Sequence, residues 1–263
     1  MTSKPRVVFL GSRVLGKFAL EYLCQRADID LIGKVVLADY SSGYWKEDPS
    51  DLAWPPTLDY AALADIDFDL GISVNYWAVI KPPILNKPRL GFFNIHHSYN
   101  LMYRGVNMNT FAILEARKQN RWYHGTTLHR MAPRVDTGDI VASLSCPVTE
   151  TDTAFSLFCK VEALCRELIV EWFPRLWLEN VKTTPPSADF KNFRRKDMIG
   201  RRIEPDWHPL QIYDHVRALT FPPFERPYVE SGGQKQYLTI SPHEGLDLFA
   251  DARQGRRVFY LNA

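Results

Sequence analysis

Asn94 and His96 stand two apart at the end of the apolar run Gly91-Phe92-Phe93-Asn94-Ile95. The run reads as a buried strand whose carboxyl end delivers both side chains to one side. In open α/β sheets that end is where ligands bind. An Asn carboxamide can donate to an oxygen that is gaining negative charge, a contact worth roughly 2.7–4 kcal/mol in acyl-transfer sites. An imidazole with an ordinary pKa of about 6.5 can take or give a proton near neutrality. Asp136 would hold that imidazole, or a bridging water, and steady its cation. Such a set suits a transfer in which charge builds on oxygen while the attacking group sheds a proton. Alone, an N-x-H means little, because a histidine at a strand end is more often a hydrogen-bonded structural residue.

The surroundings add weight. Tyr103-Arg104-Gly105, then His124-Gly125-Thr126-Thr127-Leu128-His129, then Asp136-Thr137-Gly138-Asp139-Ile140 follow in order. Gly105 suits a tight turn, Gly125 to His129 a strand, and Gly138 a loop that needs positive φ. This series resembles the signature of folate-dependent formyltransferases. The resemblance implies that Asn94, His96 and Asp136 are catalytic and that 10-formyltetrahydrofolate is the formyl donor. It places the folate between the Asn75-Tyr76 loop and the loop holding Val135 to Asp139, with the pterin held largely by backbone groups. Tyr76, Val135, Gly138 and Asp139 are therefore the donor-side candidates, with Tyr76 equally readable as core packing. His129 matches a histidine that is chiefly structural in the family. One departure stands out: Tyr99-Asn100-Leu101-Met102 lies where many members have Leu-Leu-Pro, so the loop is expected to take a different path.

For the acceptor, the chain length, the run Tyr103 to Ile113 and the short carboxyl end look most like the sugar N-formyltransferases. Those enzymes formylate the amino group of a nucleotide-linked amino-dideoxy sugar. Arg104, Asn107 and Asn109 are the acceptor-side candidates, with Arg104 equally readable as a brace for the turn at Gly105. Alternatives are methionyl-tRNA, another small amine such as glycinamide ribonucleotide, or water in a formyltetrahydrofolate hydrolase. A nucleic-acid partner is not expected, because the basic clusters Arg194-Arg195-Lys196, Arg201-Arg202 and Arg256-Arg257 are short and phosphate binding needs clustered charge. The hydrolases carry an amino-terminal regulatory domain, whereas the first core strand here begins near residue 6. A homodimer is left open. His96, His97, His124 and His129 invite a metal reading, but neither H-E-x-x-H nor paired C-x-x-C occurs. No metal is expected.

Composition sets the outer bounds. The 263 residues are 46% hydrophobic, enough for a sizeable core, and the net charge of +2 gives no pull toward nucleic acid or acidic membrane. Cys24, Cys146, Cys159 and Cys165 lack a disulfide-scaffold spacing and read as reduced thiols. No run approaches the length of a membrane span, and Met1 to Pro5 leads into a strand rather than a signal peptide. The expected compartment is the cytoplasm.

The elements that must position the site alternate. Strands are expected at Arg6 to Leu10, Asp30 to Leu37, Asp69 to Val74 and Gly91 to Asn94, and later near 124–131 and 139–145. A turn from Gly11 to Gly16 precedes a helix from Lys17. That turn, Gly11-Ser12-Arg13-Val14-Leu15-Gly16-Lys17-Phe18, almost matches a phosphate-binding loop, but Phe18 replaces the required hydroxyl residue. Helices are expected at Asn107 to Lys118 and Thr151 to Trp177, the latter capped by Thr151 or Asp152. Residues 38–57, with Tyr44 and Trp45, read as a long loop. The alternation predicts an α/β fold with a doubly wound, mainly parallel sheet. Residues 1–182 form the core in this reading. After the linker Thr183 to Ser187, residues 183–263 form a small appendage with a helix at Leu210 to Leu219, a β-hairpin turning at Gly232-Gly233, and a last strand at Arg257 to Leu261.

Overall fold

In the computed structural model, residues 3–37, 54–204, 206–240 and 260–261 are described. Most of the 38–57 loop, including Tyr44 and Trp45, lies outside them, as does all but Tyr260–Leu261 of the last expected strand. The strands are β1 (Arg6–Gly11), β2 (Asp30–Val36), β3 (Leu70–Val74), β4 (Gly91–His96), β5 (Tyr103–Gly105), β6 (Tyr123–Arg130), β7 (Ile140–Pro147), β8 (Lys191–Phe193), β9 (Tyr228–Ser231), β10 (Gln234–Thr239) and β11 (Tyr260–Leu261). The α-helices are α1 (Arg13–Cys24), α2 (Pro82–Leu85), α3 (Met108–Lys118), α4 (Ala154–Trp172), α5 (Arg175–Leu178) and α6 (Pro209–Leu219). The chain divides into two compact units. One draws on Met1–Arg104, Gly125–Leu144 and Glu162–Phe190, the other on Gly105–His124, Ser145–Val161 and Lys191–Ala263.

The main sheet runs β2-β1-β3-β4-β6-β7. The pairs β1/β2, β1/β3 and β3/β4 are parallel, and β6 returns antiparallel to β4. Val7, Val8, Phe9 and Leu10 are all fully buried, so β1 is covered on both faces and its sequence carries no polar alternation. Strand order reverses at β1, because β2 lies on one side of it and β3 on the other. The carboxyl ends of β1 and β3 therefore flank the crevice where such sheets bind ligands. His96 ends β4 one residue beyond the Val74–Ile95 pair, at that same edge.

Helix α1 begins at Arg13, not after Gly16. Gly16 is thus a helical residue, and a Cβ there would lie 3.1 Å from the Val74 carbonyl oxygen. The glycine permits a close approach of helix to strand rather than a turn. Leu15, Ala19, Leu20 and Leu23 give α1 its buried stripe.

Helix α4 is shorter than the periodicity predicts. Pro174 ends it, and α5 starts afresh beyond that proline. Its cap is neither Thr151 nor Asp152 but Thr153. Thr153 Oγ1 accepts from Ser156 N at 3.1 Å while Ser156 Oγ accepts from Thr153 N at 3.0 Å, a reciprocal box. Asp152 instead accepts from Thr149 N at 2.6 Å and pairs with Lys160 at 2.7 Å.

In the second unit, α6 starts with Pro209 at its first position, and His208 Nδ1 accepts from Leu210 N. Its fully buried Arg217 donates to Asp214 Oδ1 at 2.8 Å and to the Thr149 and Asp152 carbonyls at 3.0 and 3.1 Å. Arg117 of α3 pairs with the other Asp214 oxygen at 2.8 Å. Strands β9 and β10 form the expected hairpin around Gly232 and Gly233, both at positive φ.

Candidate active site

The register between β4 and β6 assembles the site. Asn94 lies directly opposite His129, and His96 opposite Thr127. Cross-strand partners have neighbouring Cβ atoms, and residues two apart share a face. Asn94, His96, Thr127 and His129 therefore converge on one side of the sheet.

His96 is 7% exposed, and its Nε2 lies 2.8 Å from the Tyr103 carbonyl oxygen. A carbonyl only accepts, so Nε2 carries the proton and Nδ1 is the basic nitrogen. Nδ1 faces Asp136 Oδ2 at 3.6 Å. An imidazolium formed there would be steadied by the carboxylate. The carbonyl is itself positioned: Tyr103 N donates to the fully buried Ser98 Oγ at 2.8 Å, and Thr127 Oγ1 donates to the Ser98 carbonyl at 2.6 Å.

The other Asp136 oxygen is 3.8 Å from His129 Nε2, and that nitrogen is 3.2 Å from Asn94 Nδ2. His129 Nδ1 lies 2.9 Å from the Arg130 carbonyl. Burial lowers the His129 pKa, against the pull of Asp136. His129, chiefly structural by resemblance, touches two of the three catalytic candidates. The signal available for it was the alternation that sets Thr127 and His129 on one face.

Asp136 is buried at φ 53, whereas Gly138 does not have positive φ. The expectation for Gly138 is corrected accordingly. A Cβ on Gly138 would sit 1.8 Å from the Arg130 carbonyl oxygen, so the glycine is required by close backbone approach. Asp139 has an exposed side chain, and its carbonyl accepts from Arg130 N at 2.8 Å. Val135 is 60% exposed beside buried Asp136. Tyr76 packs against the core cluster that includes Val8, Leu10 and Phe92, and burial raises its pKa. The neighbouring Trp77 and Val79 are instead 51% and 65% exposed.

Arg104 is 5% exposed and stacks 3.5 Å from the centroid of Phe190. Its Nε has no hydrogen-bond partner among the described residues. Burial lowers its pKa, opposed by Asp136. In the second unit, Gly105 has φ 96, and a Cβ there would lie 2.0 Å from the Phe193 carbonyl of β8, which fits the expected tight turn. Asn107 takes the left-handed conformation before α3 with φ 56, which asparagine tolerates, and its amide meets the Met198 sulfur. Asn109 Oδ1 is buried with no hydrogen-bond partner among the described residues.

Behind His96, His97 Nε2 and Glu162 Oε1 are 3.3 Å apart, with 10% and 13% of the two side chains exposed. Burial, aided by His96 and Arg13, pushes His97 down to about 3. Burial pushes Glu162 up to about 7 against Arg166 and Arg13. Two neutral groups, not an ion pair, are favoured below that value.

Residues 57–172 match the formyl transferase family. The chain belongs to that family. The chain is 30% identical over 175 residues to GDP-perosamine N-formyltransferase of Brucella melitensis, covering 66% of each chain. It is 33% identical over 208 residues to methionyl-tRNA formyltransferase of Methylococcus capsulatus, covering 79% of this chain and 64% of that one. The aligned part thus spans about two thirds of either relative. Its fold resembles the N-formyltransferase from Helicobacter canadensis, solved with folinic acid and dTDP-3-aminofucose. The TM-score is 0.68 at 18% identity, over 89% of this chain and 87% of that one. The expected α/β fold and family are borne out. Among the described residues no group of His, Cys, Asp and Glu forms a metal cluster, and no helix is long and apolar enough to cross a membrane.

Proposed function

We propose that this formyltransferase moves the formyl group of 10-formyltetrahydrofolate to the amino group of a nucleotide-linked amino-dideoxy sugar. The observation that carries the reading is the convergence of half-buried Asn94 with buried His96 and Asp136 at one sheet edge, His96 facing Asp136 directly and Asn94 joined to Asp136 through His129. Asn94 donates to the formyl oxygen as it gains charge. His96 Nδ1 takes the proton shed by the attacking amine, and Asp136 Oδ2 steadies the imidazolium. Collapse of the tetrahedral centre breaks the bond between the formyl carbon and N10 of the folate, and the proton collected by His96 passes to N10 as tetrahydrofolate leaves. Exposed Val135, Trp77 and Val79 offer apolar surface that fits a flat heteroaromatic donor.

Arg104, Asn107 and Asn109 are assigned to the acceptor. A nearly buried guanidinium and a buried amide oxygen with no hydrogen-bond partner among the described residues are groups that a polar ligand would satisfy. The sugar acceptor is favoured by the GDP-perosamine relative and by a likeness to the Helicobacter enzyme that extends over most of both chains.

The test is formyl transfer from the folate to a panel of GDP- and dTDP-linked amino-dideoxy sugars, with initiator methionyl-tRNA and water as competing acceptors. Formylated sugar is the expected product. Transfer to methionyl-tRNA alone, or folate hydrolysis alone, would overturn the acceptor. His96→Ala and Asn94→Ala should each cost about a hundredfold or more in turnover with the fold retained.

A further inference from the structure

We propose that His129 is a positioning residue that locks the Asn94 carboxamide in the one orientation able to donate to a developing oxyanion. This rests on the role given to Asn94 above. A carboxamide has nearly the same shape when its oxygen and nitrogen are exchanged, so shape alone does not fix which atom faces the substrate. A neighbouring hydrogen bond of known direction does fix it.

That direction follows from the backbone. His129 Nδ1 lies 2.9 Å from the Arg130 carbonyl, which only accepts, so Nδ1 bears the proton. His129 is 2% exposed, and burial disfavours a second proton on the ring. Nε2 is therefore a lone-pair acceptor, and its partner at 3.2 Å must be the Asn94 amino group. One Nδ2 hydrogen is used here, which leaves the other as a donor. The opposite tautomer would aim Nε2–H at Asp136 Oδ1, 3.8 Å away. It would abandon the shorter Arg130 contact and turn the Asn94 oxygen toward the ring.

The carbonyl that sets this tautomer is itself held. Arg130 N donates to the Asp139 carbonyl at 2.8 Å, and Gly138 leaves room for the Arg130 carbonyl where a Cβ would collide. The Asp-Thr-Gly-Asp segment thus reaches Asn94 by a second route, through Arg130 and His129, besides supplying Asp136.

Two measurements test the assignment. The first is 15N NMR of histidine-labelled protein, with His129→Gln used to assign the signal. His129 should show a protonated Nδ1 and an unprotonated Nε2 at neutral pH, and the reverse tautomer or a doubly protonated ring overturns the proposal. The second is a kinetic series. His129→Gln, whose side-chain oxygen can accept from Asn94, should stay within about tenfold of wild-type kcat. His129→Leu should lose about a hundredfold, the worth of one oxyanion donor, with donor KM little changed. Asn94→Ala combined with His129→Leu should be no slower than Asn94→Ala alone; multiplied losses would mean that His129 does not act through Asn94, and would overturn the idea. The NMR arm needs no acceptor. A wild-type protein inactive on nucleotide-sugars would therefore reject the acceptor class, while the tautomer alone would decide the positioning role.

Discussion

Replacing Glu162 by Gln isolates the cost of a carboxylate held largely out of reach of water. Glu162 faces His97 at 3.3 Å, with 13% of its side chain exposed. Arg166 and Arg13 pull its pKa down, but burial dominates and holds it at about 7 against an ordinary 4.5. Between those values the native state keeps a proton that the unfolded chain has lost, so stability falls as pH rises through this window. The gap corresponds to about 3 kcal/mol, present in full only above pH 7. Glu162→Gln keeps the shape and removes the ionisation. Its stability, read from denaturant unfolding followed by intrinsic fluorescence, should match wild type near pH 4.5. It should then exceed wild type by an increasing margin that levels off near pH 8. His97 overlaps the lower part of that range but affects both proteins alike: its imidazole, held down to about 3, makes each lose stability as pH falls from 6.5 toward 3, and this cancels in the difference between them. A variant less stable than wild type at pH 8 would refute the reasoning, because it would mean that Glu162 and His97 form a stabilising ion pair.

Three further outcomes follow from the same contacts. Ser98→Ala removes the acceptor for Tyr103 N, which should cost about 1–3 kcal/mol and lower kcat as the carbonyl holding His96 Nε2 shifts; unchanged melting and kcat would sink that chain of support. Gly138→Ala should drive the Arg130 carbonyl away from His129 and reduce kcat to the level of His129→Leu, with calorimetry and steady-state rates as the check and full activity as the contrary result. Arg104→Lys keeps the charge but loses planar stacking on Phe190, so it should raise acceptor KM while leaving donor KM in place; an effect on donor KM alone would move Arg104 to the other substrate.

Sequence periodicity carried the fold well because it reports burial within single elements. The apolar run at Val7 to Leu10 and the stripe on α1 need only local spacing to be recognised. Boundaries failed where a distant group decided them. Gly16 looked like a turn residue, yet the demand on it comes from the Val74 carbonyl on another strand. Gly138 looked like a positive-φ glycine, yet the left-handed residue is Asp136 and the constraint on Gly138 is the Arg130 carbonyl. Thr153 outcompeted Thr151 and Asp152 as a cap because Asp152 was already committed to Thr149 and Lys160.

The candidate site divides along the same line. Asn94 and His96 could be paired from a period of two on one strand, but the proton inventory of each depends on a partner from elsewhere. For His96 that partner is the Tyr103 carbonyl, which makes Nδ1 the base; for Asn94 it is His129, which makes Nδ2 the donor. Both assignments follow from main-chain carbonyls whose identity no sequence position advertises, since every residue has one. What sequence does hold is the matching alternation on β4 and β6. Once antiparallel register sets Asn94 against His129, it also sets His96 against Thr127, whose hydroxyl holds the Ser98 carbonyl. A slip of one residue would turn both partners to the opposite face. The chemistry at this sheet edge is thus fixed by the register of a single strand pair, and changes that disturb β6 should impair the reaction even where they touch neither Asn94 nor His96.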